Sequence, residues 1–139
     1  MSSIFRITSL SDWQVALATG VLPRCAADRR DDCVHVNAAD DSAQVASAFF
    51  SADEQPLALE LDQLALAPKV TWLPPTLAKP WRQGRAAIPN ILVAQVLAAR
   101  ALLPVNSESG EGFVLARQAA SHPLQPTRPD APRPPTRLL

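Results

Sequence analysis

Apolar and polar residues alternate along "SIFRIT", residues 3–8, which predicts a strand with Ile4, Arg6 and Thr8 on one face and Phe5 and Ile7 on the other. The period then changes. In "SLSDWQVALATG" Trp13 and Leu17 stand four apart, which predicts a helix turning both toward the core. Ser9 or Ser11 can cap its start by accepting from free N–H groups, and Gly20 can end it in the left-handed conformation. "CVHVN" predicts a second strand, with Cys33, His35 and Asn37 on one face and Val34 and Val36 on the other. "ADDSAQVASAFFSAD" predicts a second helix, with Asp40 or Asp41 at its positive end and Val45 and Phe49 on one stripe. "PLALELD" and "KVTWL" read as two more strands, joined by "QLALAP".

The pattern is less regular beyond. Residues 74–89, "PPTLAKPWRQGRAAIP", read as a long proline-rich loop, either a functional lid or a disordered segment. "NILVAQVLAARALL" is rich in Leu, Ala and Arg, and on propensity alone predicts a helix. "SESGEGFVL" reads as a turn leading into a last strand. Pro123, Pro126, Pro129 and Pro132 then recur at every third residue, the period of polyproline II. Such a stretch cannot bury a core. The predicted organisation is one globular domain over residues 1–116 and a disordered proline-rich tail over 117–139. With Arg128, Arg133 and Arg137 beside its prolines, the tail has a second reading as a docking segment for a protein partner.

Length and charge narrow the classes. A chain of 139 residues buries roughly two-thirds of its unfolded surface, so it needs no metal or disulfide staple. Thirteen basic residues balance thirteen acidic ones, which argues against a general nucleic-acid binder. No basic segment followed by an apolar run opens the chain, and Pro89, Gln95 and Arg100 interrupt the longest apolar stretch. A cytoplasmic protein that neither enters nor crosses a membrane is expected; oligomeric state leaves no mark in the sequence.

The densest chemistry lies in "DDCVHVNAADD", where one cysteine and one histidine are fenced by four aspartates. A closed zinc site needs four ligands, and the spacing of Cys25, Cys33 and His35 matches no zinc pattern, so no metal is expected. A Cys33–His35 nucleophile pair fares no better. Side chains two apart on a strand are separated by roughly 6.6 Å, beyond hydrogen-bond reach.

The order of segments is more telling. "SIFRITSLSDWQVALATGVL", "DDCVHVNAADDSAQVASAFF", "LALELDQLALAPKVTW", "IPNILVAQVLAARALLP" and "GEGFVLA" together resemble the bacterial domain of unknown function 952 family, over about Ile4 to Leu115. Members of that family look like the ADP-ribosyltransferase fold. The resemblance therefore implies an α+β architecture, a small twisted and split sheet with two main helices around a cleft for NAD or an ADP-ribose-like nucleotide. It also implies departures. The family pattern has a histidine where this chain has Arg6, serine and threonine after the His35 position, and histidine, tyrosine and glycine in the late motif that here reads Ile88-Pro89-Asn90-Ile91-Leu92-Val93-Ala94-Gln95. The apolar skeleton is kept, so the fold can persist. The lost polar groups argue against full catalytic competence.

The resemblance implies strand, turn and strand across Asn90–Leu103 rather than a helix. It implies a nucleotide cleft formed by Arg6, His35, Asn37 and Asn90, with Trp81, Arg82 and Arg85 as loop contacts. Each has a structural alternative. His35 either donates to a ribose or phosphate oxygen or is tied to a backbone carbonyl at the sheet edge. Arg6 either binds an anion or pairs with Glu60 or Asp62. Trp81 either clamps a base, with Lys79, Arg82 and Arg85 on its phosphates, or folds back on the core. Three functions follow: a degenerate nucleotide-binding or accessory module, an active NAD-dependent transferase, or a protein-interaction domain using the tail.

Overall fold

The first two elements form as Ile4–Thr8 (β1) and Leu10–Thr19 (α1). Ser9 Oγ accepts from the Asp12 amide at 3.2 Å, and Gly20 closes α1 at φ 87°, its N–H donating to the Ala16 carbonyl. The computed structural model describes residues 3–107 and 110–116. The tail, and its docking role, lie outside the described residues.

The chain continues through α2 (Ala26–Asp31), β2 (Val34–Ala38), α3 (Ser42–Phe49), β3 (Leu57–Leu61), α4 (Gln63–Leu66), β4 (Val70–Leu73), β5 (Gln83–Ala86), β6 (Val96–Ser107) and β7 (Gly110–Leu115). The strands make one sheet in the order β4-β5-β2-β1-β3-β6-β7, with every pairing antiparallel. The fold is α+β. Among the described residues two shorter α-helices, α2 and α4, accompany the expected pair α1 and α3; at six and four residues they are too short to show a stripe.

Alternation along the strands sorts the core into two clusters. Leu57, Leu59 and Leu61 of β3 join Ile4, Val34 and Val36 against Trp13 and Ala16 of α1. Phe5, Ile7 and Ala58 join Val45 and Ala46 of α3, with Trp81, Leu102 and Phe113. A period of two thus places α1 and α3 against opposite faces of the sheet.

The sheet is joined unevenly. β1 pairs with β3 over five residues but with β2 over only two, Ile4↔Ala38 and Phe5↔Asn37. Beyond Phe5 the strands β1 and β2 are no longer paired. The sheet is therefore split at its middle, with β4, β5 and β2 on one side and β1, β3, β6 and β7 on the other.

Three expectations are corrected. Residues 74–89 are not all loop: Gln83–Ala86 form β5, bonded to β4 and β2. Gly84 and Ala86 are its buried positions, too small to register as an apolar alternation. The stretch from Asn90 is not a helix, and of the strand, turn and strand the first strand shrinks to a single bridge. Leu92 makes one bridge to Val21, Val93–Gln95 turn as a 3-10 helix, and β6 then runs unbroken from Val96. β6 pairs with β3 through its first half and β7 through its second, and this pairing outweighs helix propensity. Phe49 is 59% exposed rather than buried beside Val45, because it comes at the last residue of α3 and leans on Trp81.

Candidate functional site

The split opens into a cleft of about 420 Å³. Arg6, Ile7 and Thr8 line it from β1, Ser9 from the cap of α1, and His35, Val36 and Asn37 from β2. Phe49, Phe50 and Trp81 supply an aromatic wall, and Asp12, Glu54 and Lys79 bring its remaining charges. Trp81 is buried, and its ring meets Phe49 edge-on at 5.7 Å and 84°.

Outside the cleft lining, Arg6 and His35 meet a buried carboxylate. Asp28 of α2 is 1% exposed. The Arg6 guanidinium grips it with two prongs, Nη1 to Oδ1 at 3.1 Å and Nη2 to Oδ2 at 2.8 Å. Asp28 also accepts from the amides of Cys25, at 3.1 Å, and His35, at 2.9 Å. Burial by itself pushes the Asp28 carboxyl up, but hydrogen bonds from His35 and Arg6 outweigh it and hold the group well below the usual carboxylate range. Arg6 Nη1 donates further to the His35 carbonyl at 2.7 Å, so one guanidinium ties β1, α2 and β2 together where the strands have parted.

His35 is clamped as well. Its Nδ1 lies 2.9 Å from Asp28 Oδ1, and its Nε2 lies 2.9 Å from Asp31 Oδ2. A neutral imidazole donates at one nitrogen only, whereas the imidazolium satisfies both carboxylates. Arg30 foremost, then Arg85 and His35, hold the Asp31 carboxyl below its ordinary value. His35 thus follows neither expected course: it lines the cleft, but its ring nitrogens meet aspartates rather than a backbone carbonyl. Arg6 pairs with Asp28 rather than with Glu60 or Asp62. Glu60 meets Arg100 at 3.4 Å, and Asp62 caps α4.

The other candidates separate. Asn37 and Trp81 line the cleft beside Arg6 and His35. Asn90 does not. Its amide lies 3.5 Å from the Leu22 carbonyl, in a packed region with Arg6, Asp28 and Ile91 that encloses no cavity. Arg82 and Arg85 also lie outside the lining. Arg82 stands over the Trp72 ring at 5.3 Å, and Arg85 reaches Asp31 at 3.6 Å. The sequence signals for Asp28 were its place three residues after Cys25, at the third position of a short helix, and the need of a strand arginine for a carboxylate.

Among the described residues no group of three or more His, Cys, Asp or Glu side chains is placed to hold a metal. Among the described residues no helix is long and apolar enough to cross a membrane.

Comparison with known proteins bears on the fold. The crystal structure of protein CC0527 from Caulobacter crescentus, a structural-genomics target, superposes with a TM-score of 0.62 at 20% identity, covering 79% of this chain and 92% of that one. Its solution NMR structure gives 0.60 at 21% identity, covering 78% and 90%. These likenesses carry the fold and no activity. No functionally curated protein matches the chain in sequence. The family model described as "Protein of unknown function (DUF952)" matches residues 7–91. Since that match takes in more than half of the 139 residues, the chain belongs to the DUF952 family.

Proposed function

We propose that this chain is a binding module: its fold is ADP-ribosyltransferase-like, its cleft takes a nucleotide such as NAD or ADP-ribose, and it does not catalyse transfer. The observation that carries this reading is the cleft at the split between β1 and β2, lined by both aromatic residues and polar strand residues. Its volume of about 420 Å³ falls within the roughly 300–1,000 Å³ of small-molecule sites.

The loss of catalysis follows from what the charged groups already do. Transfer chemistry needs a preorganised charge or proton donor aimed at the reacting atoms. Arg6 spends its charge on Asp28, and His35 meets carboxylates at both nitrogens. The competing reading, an active NAD-dependent transferase, draws on Glu54, an exposed carboxylate on the cleft lining.

Titration calorimetry with NAD and ADP-ribose, followed by assay of NAD over hours, tests both. Saturable binding with NAD unconsumed is the expected result. Consumption of NAD would favour the transferase, and no heat at millimolar ligand would sink both readings.

A further inference from the structure

Resting on that nucleotide reading, we infer that the cleft selects its ligand by a flat heteroaromatic base, whose edge of adjacent donors and acceptors is read by Asn37 and Thr8, and that phosphate groups add little.

Two polar side chains lack partners. Asn37 is 9% exposed and Thr8 is 5% exposed, both line the cleft, and neither side chain hydrogen-bonds another described residue. Their polar atoms stay open to the cleft, where a ligand group can match them. An amide presents a donor and an acceptor side by side, and a hydroxyl presents either. The edge of a purine, or the carboxamide of a nicotinamide ring, offers the complementary pair. A phosphate offers acceptors alone. The wall of Phe49, Phe50 and Trp81 suits the faces of such a ring.

The charges point the same way. Arg6, the natural phosphate ligand by its fork of donors, is matched to Asp28, and its Nε is closed off from solvent. Lys79 shares the cleft with two carboxylates, Asp12 and Glu54. A diphosphate therefore meets no net positive field there. An uncharged base loses nothing by this balance.

The test compares adenosine, nicotinamide riboside, ADP-ribose and inorganic pyrophosphate by calorimetry on the full chain. One nucleoside is expected to bind within about threefold of ADP-ribose, with pyrophosphate silent. Asn37→Ala and Thr8→Val should each weaken that nucleoside by about tenfold, with circular dichroism unchanged. Should Asn37→Ala fail to fold, Asn37→Ser and Thr8→Val carry the same comparison. The inference is overturned if ADP-ribose binds and pyrophosphate competes while both nucleosides fail, or if the variants leave the nucleoside's Kd unchanged. Silence from adenosine, nicotinamide riboside and ADP-ribose together would instead overturn the nucleotide reading beneath it.

Discussion

Arg6 and Asp28 form a two-pronged ion pair with side chains 7% and 1% exposed, at the one place where the sheet has no ladder to hold it. Removing one member of a buried pair leaves the other charged and unpartnered, which costs about 3–5 kcal/mol. Asp28→Ala should therefore lower the urea midpoint sharply, since His35 and the Cys25 amide lose an acceptor as well. Replacing both partners, Arg6→Met with Asp28→Leu, should recover much of that loss. A double variant no more stable than Asp28→Ala would show that the pair is not the source.

The same carboxylate sets an acid limit. Its pKa is depressed in the folded state, while unfolded aspartate titrates near about 3.9. A depressed carboxyl contributes stability that is complete above the unfolded value and is lost as pH falls toward the folded one. Stability should hold from neutrality to about pH 5, then decline progressively below about pH 4. In Asp28→Asn the decline should be shallower, as measured by chemical denaturation at each pH. Equal slopes in both proteins would assign the acid limit to other groups.

Gly84 is confined by its neighbours. A Cβ there would lie 2.7 Å from Val36 Cγ2 and 2.9 Å from the Trp72 ring. Gly84→Ala forces β5 away from β2 or displaces Val36, at a cost of about 1–3 kcal/mol of overpacking strain. Thermal unfolding should show a lower midpoint. An unchanged midpoint would mean that Val36 moves aside freely.

The two thiols report on opposite environments. Cys25 is exposed and lines the cleft, whereas Cys33 is buried and burial pushes its thiol pKa up. A disulfide reagent should modify Cys25 quickly in the native protein and reach Cys33 only on unfolding. A cleft ligand should slow the modification of Cys25. Equal rates with and without a saturating ligand would place that ligand elsewhere.

Much of the skeleton was legible because its signals are local. Ser9, Trp13 and Gly20 mark α1 within a few positions of one another, and the alternations of β1, β2 and β3 sort residues between two core faces. Where long-range pairing decides, the sequence was silent or misleading. β6 has a helix-like composition and is held extended by strands on both sides, and β5 buries only Gly84 and Ala86. For the site, alternation and family resemblance brought Arg6, His35, Asn37 and Trp81 to one cleft. They did not reveal Asp28, which sits on a six-residue helix with no apolar stripe, so the engagement of Arg6 and His35 stayed hidden. The late motif's resemblance to the family pattern carries no sign that the Asn90 amide meets the Leu22 carbonyl instead of the cleft.

The parting of β1 from β2 also bears on how the molecule moves. Two half-sheets share only two backbone pairs, Ile4↔Ala38 and Phe5↔Asn37, with Asp28 and Arg6 spanning the gap beyond them. That geometry works as a spine with a clasp. A hinge at those two pairs would widen the cleft before it disturbed either core, and the clasp would oppose it. Exchange of the His35 amide, which donates to Asp28 at the clasp, should report any opening there, and a molecule bridging both halves should slow it.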